Sequence, residues 1–364
     1  EVVKQKKIKF IPSRFEKIYY QWMKNLKDWA ISRQIIWGIR IPAWFCMEEI
    51  VEKGLLPKKE IEPHQSLTYW RKWLDFSTKP IFIGINPPQK CPRCGKKDLI
   101  QDPDVLDTWF SSGQWPYLTL DYPNGKDYKT YYPTTVMETG WDILFKWVSR
   151  MIIFGVYRTG KIPFKYVYLH GLVLDKDRKK MSKSKGNVID PLAVTELYGT
   201  DAARMALIIG NAPGNDVAIS EEKIRGYRNF ANKIWQATRF LLLSIPGPIK
   251  NSPSYNPKEK AMLKKLTNIK KEVTKDIETF KFHHAAEKLY HFFWHYYADK
   301  VIEEMKPTLK SKNPKERDNA KSLLLEFHAT LIKLLHPFMP FITEEIYQQL
   351  PIPNKKLLMI ENWQ

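Results

Sequence analysis

The sequence predicts an α/β domain followed by an all-α helix bundle, and three observations carry that reading. Between residues 131 and 174 an apolar run, a Gly-containing turn, a helix-periodic stretch and a second apolar run follow in order, as in a strand–helix–strand unit. From Ser220 onward the chain changes to long amphipathic segments at helical spacing. Between the two lies Lys180-Met181-Ser182-Lys183-Ser184-Lys185-Gly186-Asn187, with three lysines and two hydroxyls in eight residues. Such a stretch is not core, because its ammonium groups would have to leave water. It reads as a loop able to close on a polyanion, with lysine charge and hydroxyl and backbone N–H donors. By composition alone a solvated basic turn is the plainer alternative.

Each element has a local reason. Residues 1–28 open on a basic strand-like stretch, then Pro12, then a helical pattern through Phe15, Ile18, Tyr19, Trp22 and Met23. Residues 35–44 are apolar and aromatic and are expected to pack beneath an active site. Residues 48–101 are broken by Pro57, Pro63, Pro87 and Pro88 and read as a small insertion of short strands. Residues 131–137 read as a strand, Glu138-Thr139-Gly140 as a turn, and 141–157 as a helix. Residues 165–174 read as a buried strand. Asp190-Pro191 opens a helix toward Tyr198, and Asp201 is expected to cap another through Ile209. Helices are expected at about 221–244, 258–275, 281–305, 315–336 and 341–350. Proline-rich breaks fall at 245–257 and 307–314.

The whole chain has 364 residues and a formal charge of +20, which suits a nucleic-acid partner without distinguishing RNA from DNA. Three cysteines cannot close a disulfide framework, and no secretory signal opens the chain. The apolar run 240–243 is too short to span a bilayer. Cytoplasm is the expected compartment, with no membrane partner and a monomeric state.

The string KMSKS at 180–184 is a signature of class I aminoacyl-tRNA synthetases. DVLDTWFSSG at 104–113, TGWDILFKWVSRM at 139–151 and WAISRQIIWGIRIPAW at 29–44 resemble the valyl branch of that class. The resemblance spans nearly the whole chain and is strongest from Trp29 to about Arg228. It implies an α/β catalytic domain built on the second half of a Rossmann-type parallel sheet, then a helical anticodon-binding domain. The expected segments are the tail of an editing insertion and the re-entry to the catalytic domain at 1–45, a small insertion with the knuckle-like Cys91–Cys94 turn at 46–101, the catalytic half at 102–219 and the anticodon-binding bundle at 220–364. The family's HIGH tetrapeptide is not found in this sequence. The chain therefore reads as the carboxyl-terminal part of a synthetase, lacking the HIGH half and most of the editing domain, and inactive alone. The implied activity is that of a valine–tRNA ligase: ATP with Mg2+ activates valine to an adenylate, which is transferred to tRNA(Val). An isoleucyl or other branched-chain synthetase, or a non-catalytic tRNA-binding paralogue, are the alternatives.

The resemblance assigns roles residue by residue. Lys180, Ser182, Lys183 and Ser184 would stabilise the phosphates during adenylation. Gly140, Asp142, His170, Gly171, Met181 and Lys183 would bind ATP, Asp142 at the ribose hydroxyls and the His170-Gly171 pair against adenine. By pattern alone Asp142 is equally a helix cap and His170 a satisfied strand-end group. Trp109, Ile143 and Trp147 would form a slot for a β-branched side chain, although aromatics in apolar stretches are more often core. No nucleophile or base need be supplied, since the amino acid's carboxylate attacks the α-phosphorus.

Arg225, Arg228 and Lys233 suit tRNA phosphates, while Ile224 and Phe230 of the same segment suit a packed linker helix. Cys91-Pro92-Arg93-Cys94-Gly95 is half of a zinc knuckle, and Cys46 offers a third thiolate. Glu49 or His64 would have to complete the set. Bound structural Zn2+ and a knuckle that folds without metal both stay open. His284, His291 and His295 share one helical face, but the aromatics around them mark a packed bundle helix rather than a metal site.

Overall fold

A computed structural model describes residues 1–52, 80–181, 186–247, 249 and 251–363. These form two compact units, residues 1–137 with 142–167, and residues 138–141 with 168–364.

In the first unit β1 (Lys9–Ile11) leads into α1 (Phe15–Lys24), the helix expected here, which buries Phe15 and Tyr19 at i, i+4 spacing and leaves Ile18 and Trp22 of the same pattern exposed. Strand β2 (Ser32–Arg33) pairs antiparallel with β6 (Val105–Leu106). Strand β3 (Ala43–Cys46) is flanked by β4 (Phe82–Ile83) and β5 (Leu99–Gln101), antiparallel to both, with α2 (Met47–Glu52) directly after it. Ala43, Phe45, Met47 and Ile50 form the small core of this layer. Within the stretch read as an insertion, residues 80–101 contain the short strands β4 and β5, and residues 53–79 lie outside the described residues.

Residues 35–44 depart from expectation. Ile36 and Trp37 are 83% and 86% exposed, and Ile35 and Ile39 are also exposed; only the β3 end of the stretch is covered. The β2–β6 pairing ends at Arg33, and the turn beyond it points these apolar side chains outward.

Three short helices follow, α3 (Thr108–Ser112), α4 (Trp115–Leu118) and α5 (Lys126–Tyr131). Strands β7 (Thr134–Gly140) and β8 (Phe164–His170) begin in the first unit and end in the second, in a sheet ordered β1-β8-β7. Glu138-Thr139-Gly140 is thus strand rather than turn, held there because Thr139 and Gly140 are buried. The expected helix from Trp141 begins as a 3-10 turn (Trp141–Ile143) and a π-helical segment (Leu144–Val148) before α6 (Ser149–Thr159). Gly160, at φ 70°, closes α6 in the left-handed region.

The second unit contains β9 (Val173–Leu174), parallel to β10 (Val217–Ala218). Asp190 caps α7 (Pro191–Tyr198) through the N–H of Leu192 at 2.9 Å, as read from sequence. Helix α8 (Thr200–Ile208) is not capped by Asp201. That buried carboxylate instead accepts from the N–H groups of Phe341 and Ile342, at 3.3 and 2.7 Å. It therefore caps a helix 140 residues later in the chain.

The bundle comprises α9 (Glu221–Ser244), α10 (Pro257–Glu278), α11 (Phe282–His291), a π-helical segment (Phe292–Val301), α12 (Ile302–Leu309), α13 (Pro314–Leu335) and α14 (Pro340–Gln349). Ser220, the Asn256–Glu259 capping box and Asn313 start α9, α10 and α13. The break expected to begin at Pro307 starts later, because α12 runs through that proline to Leu309. Phe230, Ile234, Leu289, Phe293, Tyr297, Leu324, Phe327 and Leu331 belong to one continuous apolar core. Within it His328 is fully enclosed, with Nε2 2.9 Å from Thr238 Oγ1 and Nδ1 3.1 Å from the Tyr297 hydroxyl. Burial pulls its pKa down to about 3, so the ring is neutral and its two nitrogens are satisfied by hydroxyls.

Candidate nucleotide and RNA sites

The basic loop stands on a hydrogen-bonded stem. Asp175 Oδ1 accepts from the N–H groups of Asp177 and Lys179, at 3.0 and 2.8 Å, and Arg178 turns in the left-handed region at φ 59°. Asp175 Oδ2 accepts from Asn187 Nδ2 at 2.8 Å, across the loop. The same amide reaches the carbonyl of Lys180 at 3.3 Å, and Leu174 and Lys180 form an antiparallel bridge. The Asn187 amide, then the Lys179 N–H, hold the Asp175 carboxyl below its usual range. Ser182, Lys183 and Ser184, which follow Met181 in sequence, lie outside the described residues. Met181 packs against the buried cluster of Val194, Ala202, Ala206, Ile219 and Ile224. Its side chain anchors the loop's entry.

Beside the stem, His170 Nδ1 lies 2.7 Å from the Gly171 carbonyl and Nε2 lies 3.4 Å from Glu138 Oε1. Glycine is required at 171. A Cβ there would sit 1.9 Å from the Asn215 carbonyl oxygen, so backbone meets backbone. Asp216 fastens this crossing, its Oδ1 accepting from Trp141 Nε1 at 3.0 Å and from the Leu172 N–H at 2.7 Å. These donors, Trp141 first, depress its carboxyl pKa. Trp141 directly follows Gly140, the buried last residue of β7.

In the first unit Asp142 is exposed in the 3-10 turn, and it makes no hydrogen bond or ion pair among the described residues. It is not the helix cap that its position suggested, and its carboxylate is available to a ligand. Asp107 is buried and does cap: Oδ1 accepts from the Trp109 N–H at 2.7 Å, while Oδ2 receives Arg33 and, at 3.3 Å, Trp29 Nε1. Arg150 covers the Trp29 ring at 3.5 Å. Helix α3 is thereby fixed with Trp109 half-buried. Trp147 Nε1 donates to the Ser112 carbonyl at 3.1 Å, tying the π-helical segment to α3. Ile143 and Trp147 are likewise half-buried, and the enclosed Ser112 hydroxyl has no partner among the described residues.

On α9, Arg225 and Arg228 are exposed and make no hydrogen bond or ion pair among the described residues. Lys233 differs: it pairs with Asp299 at 2.8 Å and lies 5.5 Å from the Trp294 ring. Lys223 donates to the Ile209 carbonyl at 2.9 Å, and burial lowers its pKa.

The sulfurs of Cys46, Cys91 and Cys94 lie within 4.8 Å of one another, with Cys46 and Cys94 3.4 Å apart. Zinc–thiolate bonds of about 2.3 Å in a tetrahedron imply sulfur separations of about 3.8 Å, so the three thiols fit the ion. Burial raises the Cys46 thiol to about 11. At Cys91 burial acts the same way but is outweighed, chiefly by the N–H groups of Cys94 and Arg93, and its pKa falls. Glu49, the expected fourth donor, is engaged by Arg93 at 2.5 Å. His64 lies outside the described residues.

Asp107, Asp175, Asn187 and Asp216 were not singled out from sequence. Each is a polar residue within or near a quoted segment, and only its spatial partners reveal its task.

A family model for class I tRNA synthetases (I, L, M and V) matches residues 1–220, and one for the anticodon-binding domain of tRNA ligase matches residues 259–364. The chain belongs to the class I tRNA synthetase family. Valine–tRNA ligases of Clostridium acetobutylicum and Solibacter usitatus are 42% and 43% identical to it, over 100% and 96% of this chain. The chain spans 38% and 36% of those relatives' lengths. Among solved structures, an Agrobacterium radiobacter LeuRS–tRNA–LeuAMS ternary complex aligns over 96% of this chain and 44% of its own, with TM-score 0.67 at 22% identity. Mycobacterium tuberculosis methionyl-tRNA synthetase with methionyl-adenylate aligns over 96% and 60%, with TM-score 0.68 at 18% identity. These two likenesses are of fold. No described helix is long and apolar enough to cross a membrane.

Proposed function

We propose that this chain supplies the KMSKS-bearing part of the catalytic fold and the anticodon-binding bundle of a valine–tRNA ligase. One observation carries the reading: valine–tRNA ligases are 40–43% identical to this chain over 96–100% of its length. In this reading residues 1–45 are the tail of an editing insertion and the re-entry to the catalytic domain, 46–101 a small insertion, 102–219 the catalytic half and 220–364 the tRNA-binding bundle.

The reaction follows from the groups present. Valine's carboxylate oxygen attacks the α-phosphorus of Mg2+-bound ATP, a new P–O bond forms, and the bond to the β-phosphate breaks to release pyrophosphate. Lys180 and Lys183 meet the charge that grows on the leaving phosphates, with Ser182 and Ser184 donating hydrogen bonds. The exposed Asp142 carboxylate accepts from ribose hydroxyls. Gly140, His170, Gly171 and Met181 shape the adenosine side. Ile143, Trp109 and Trp147 form the amino-acid slot, with the unpaired Ser112 hydroxyl at its edge. Arg225 and Arg228 contact tRNA phosphates; Lys233, already paired to Asp299, contributes less. A Zn2+ held by Cys46, Cys91 and Cys94 would crosslink β3 to the knuckle and supply no chemistry to the reaction.

Aminoacylation assays on the complete enzyme test this. Valine tRNA should be charged with valine, and failure to charge it under conditions where a known valine–tRNA ligase succeeds would refute the reading.

A further inference from the structure

Asp216 joins two segments that the proposed function assigns to one nucleotide. Its Oδ1 accepts from Trp141 Nε1 at 3.0 Å and from the Leu172 N–H at 2.7 Å, so both donors meet on a single oxygen. Trp141 lies between Gly140 and Asp142 in sequence, and Leu172 directly follows the His170-Gly171 pair. One side chain therefore ties the ribose-side segment to the adenine-side pair.

The strand register puts the acid there. Strands β9 and β10 run parallel with Val173 opposite Val217, so Leu172 and Asp216 each stand one residue before that pair. The Val217 N–H donates to the Leu172 carbonyl at 2.9 Å. Both backbone polar groups of Leu172 are thus held by residues 216 and 217. The crossing leaves no slack, because a Cβ at Gly171 would lie 1.9 Å from the Asn215 carbonyl oxygen. Sliding one segment past the other would break both Leu172 bonds. On the far side the indole is a rigid arm whose one donor is its Nε1–H, so the bond to Asp216 fixes the direction of the ring.

Charge matters as well as position. An oxygen that takes two N–H bonds is best supplied by a carboxylate, since charge-assisted bonds are shorter and stronger. Trp141, then the Leu172 N–H, hold the Asp216 carboxyl below its ordinary range against the effect of burial, and the Arg178 charge adds to them. Arg178 is the left-handed residue in the stem of the lysine–serine loop, so that stem lies in the field of the same acid.

We infer that Asp216 is a positioning residue for adenylation, setting the Trp141 segment and the His170-Gly171 pair in register so that one ATP is recognised at its ribose and its base together. It acts through those segments rather than on the substrate. The inference rests on the nucleotide-binding part of the proposed function and adds to that site a residue it does not include.

The test is valine-dependent nucleotide–pyrophosphate exchange by the complete enzyme, with kcat/KM compared for ATP, 2′-deoxyATP and inosine triphosphate. The preference for ATP over 2′-deoxyATP reads the sugar subsite, and that over inosine triphosphate reads the base subsite. Asp216→Ala should lower both preferences about fivefold, the worth of one hydrogen bond of ordinary strength, and leave KM for valine unchanged. Asp216→Asn keeps the Oδ1 acceptor and should recover most of both. Trp141→Phe keeps a ring and removes only the indole donor; it should lower the sugar preference alone, and it decides the matter if Asp216→Ala does not fold. Activity that falls equally for all three nucleotides marks a merely structural acid and overturns the inference, as does loss of only one preference in Asp216→Ala or an unchanged sugar preference in Trp141→Phe. In each of those outcomes the valine–tRNA ligase reading stands. A parent enzyme without valine-dependent exchange overturns that reading and this inference with it.

Discussion

Asn187 donates its side-chain amide to the Asp175 carboxylate at 2.8 Å, joining the two ends of the lysine–serine loop. The contact ties the chain ahead of Lys180 to the chain that follows Gly186. Replacing Asn187 by Ala in the complete enzyme should leave valine binding intact and slow adenylate formation by ~10- to 100-fold, the scale of a small misplacement of catalytic groups. Rapid-quench measurement of the adenylation step reads this directly. An unchanged rate would mean that the stem does not position the loop.

Lys183 lies on that loop, outside the described residues, and its role is argued from sequence. Lys183→Ala should cost ~2–4 kcal/mol in the adenylation barrier, as expected for one preorganised charge acting in the transition state. Lys180→Ala should cost less. Pre-steady-state kinetics separates this from binding: a loss confined to valine affinity contradicts the assignment.

The buried His328 makes stability pH-dependent in a defined direction. Its folded pKa is about 3, against an ordinary value of 6.5. Between those values the unfolded chain binds the extra proton, so this contribution is complete above about pH 6.5 and is lost as pH falls toward 3. The slope should reach ~1.4 kcal/mol per pH unit. Urea melts from pH 7.5 to 4.5, compared with His328→Gln, provide the check: the variant should be less stable at pH 7.5 but lose less as the pH falls. Parallel slopes would rule the linkage out.

The Cys46, Cys91 and Cys94 cluster should bind one Zn2+ per chain, with Cys91 more readily deprotonated than Cys46. Cobalt substitution should give a thiolate charge-transfer band that Cys91→Ser weakens, and chelation should lower the melting temperature without altering RNA binding by the bundle. A metal content near zero after purification in zinc-supplemented medium would show that the knuckle folds without it.

Much of the second unit was legible in the sequence because its information is local. Apolar stripes place α9, α10, α13 and α14 within a few residues, the helix expected at 281–305 is the run from α11 through α12, and Asp190 caps as its position suggests. What was illegible depends on distant partners. Asp201 has the pattern of a local cap, yet serves the N-terminus of α14. Asp216 reads as an ordinary loop acid until Trp141 is brought to it. Gly171 was expected to make room for a base, and the atoms that demand the glycine are those of Asn215. Ile36 and Trp37 show the converse, since an apolar string identifies surface that prefers cover without saying whether these residues supply it.

The most direct measurement is amino-acid-dependent ATP–pyrophosphate exchange by the complete enzyme, run with valine, isoleucine and threonine. The slot attributed to Trp109, Ile143 and Trp147 predicts robust exchange with valine, at least ~10-fold weaker exchange with isoleucine, and detectable exchange with threonine, which is nearly isosteric with valine. Trp147→Ala should narrow the valine–isoleucine gap. Equal exchange with isoleucine and valine in the unmodified enzyme, or exchange supported by neither, would contradict the account.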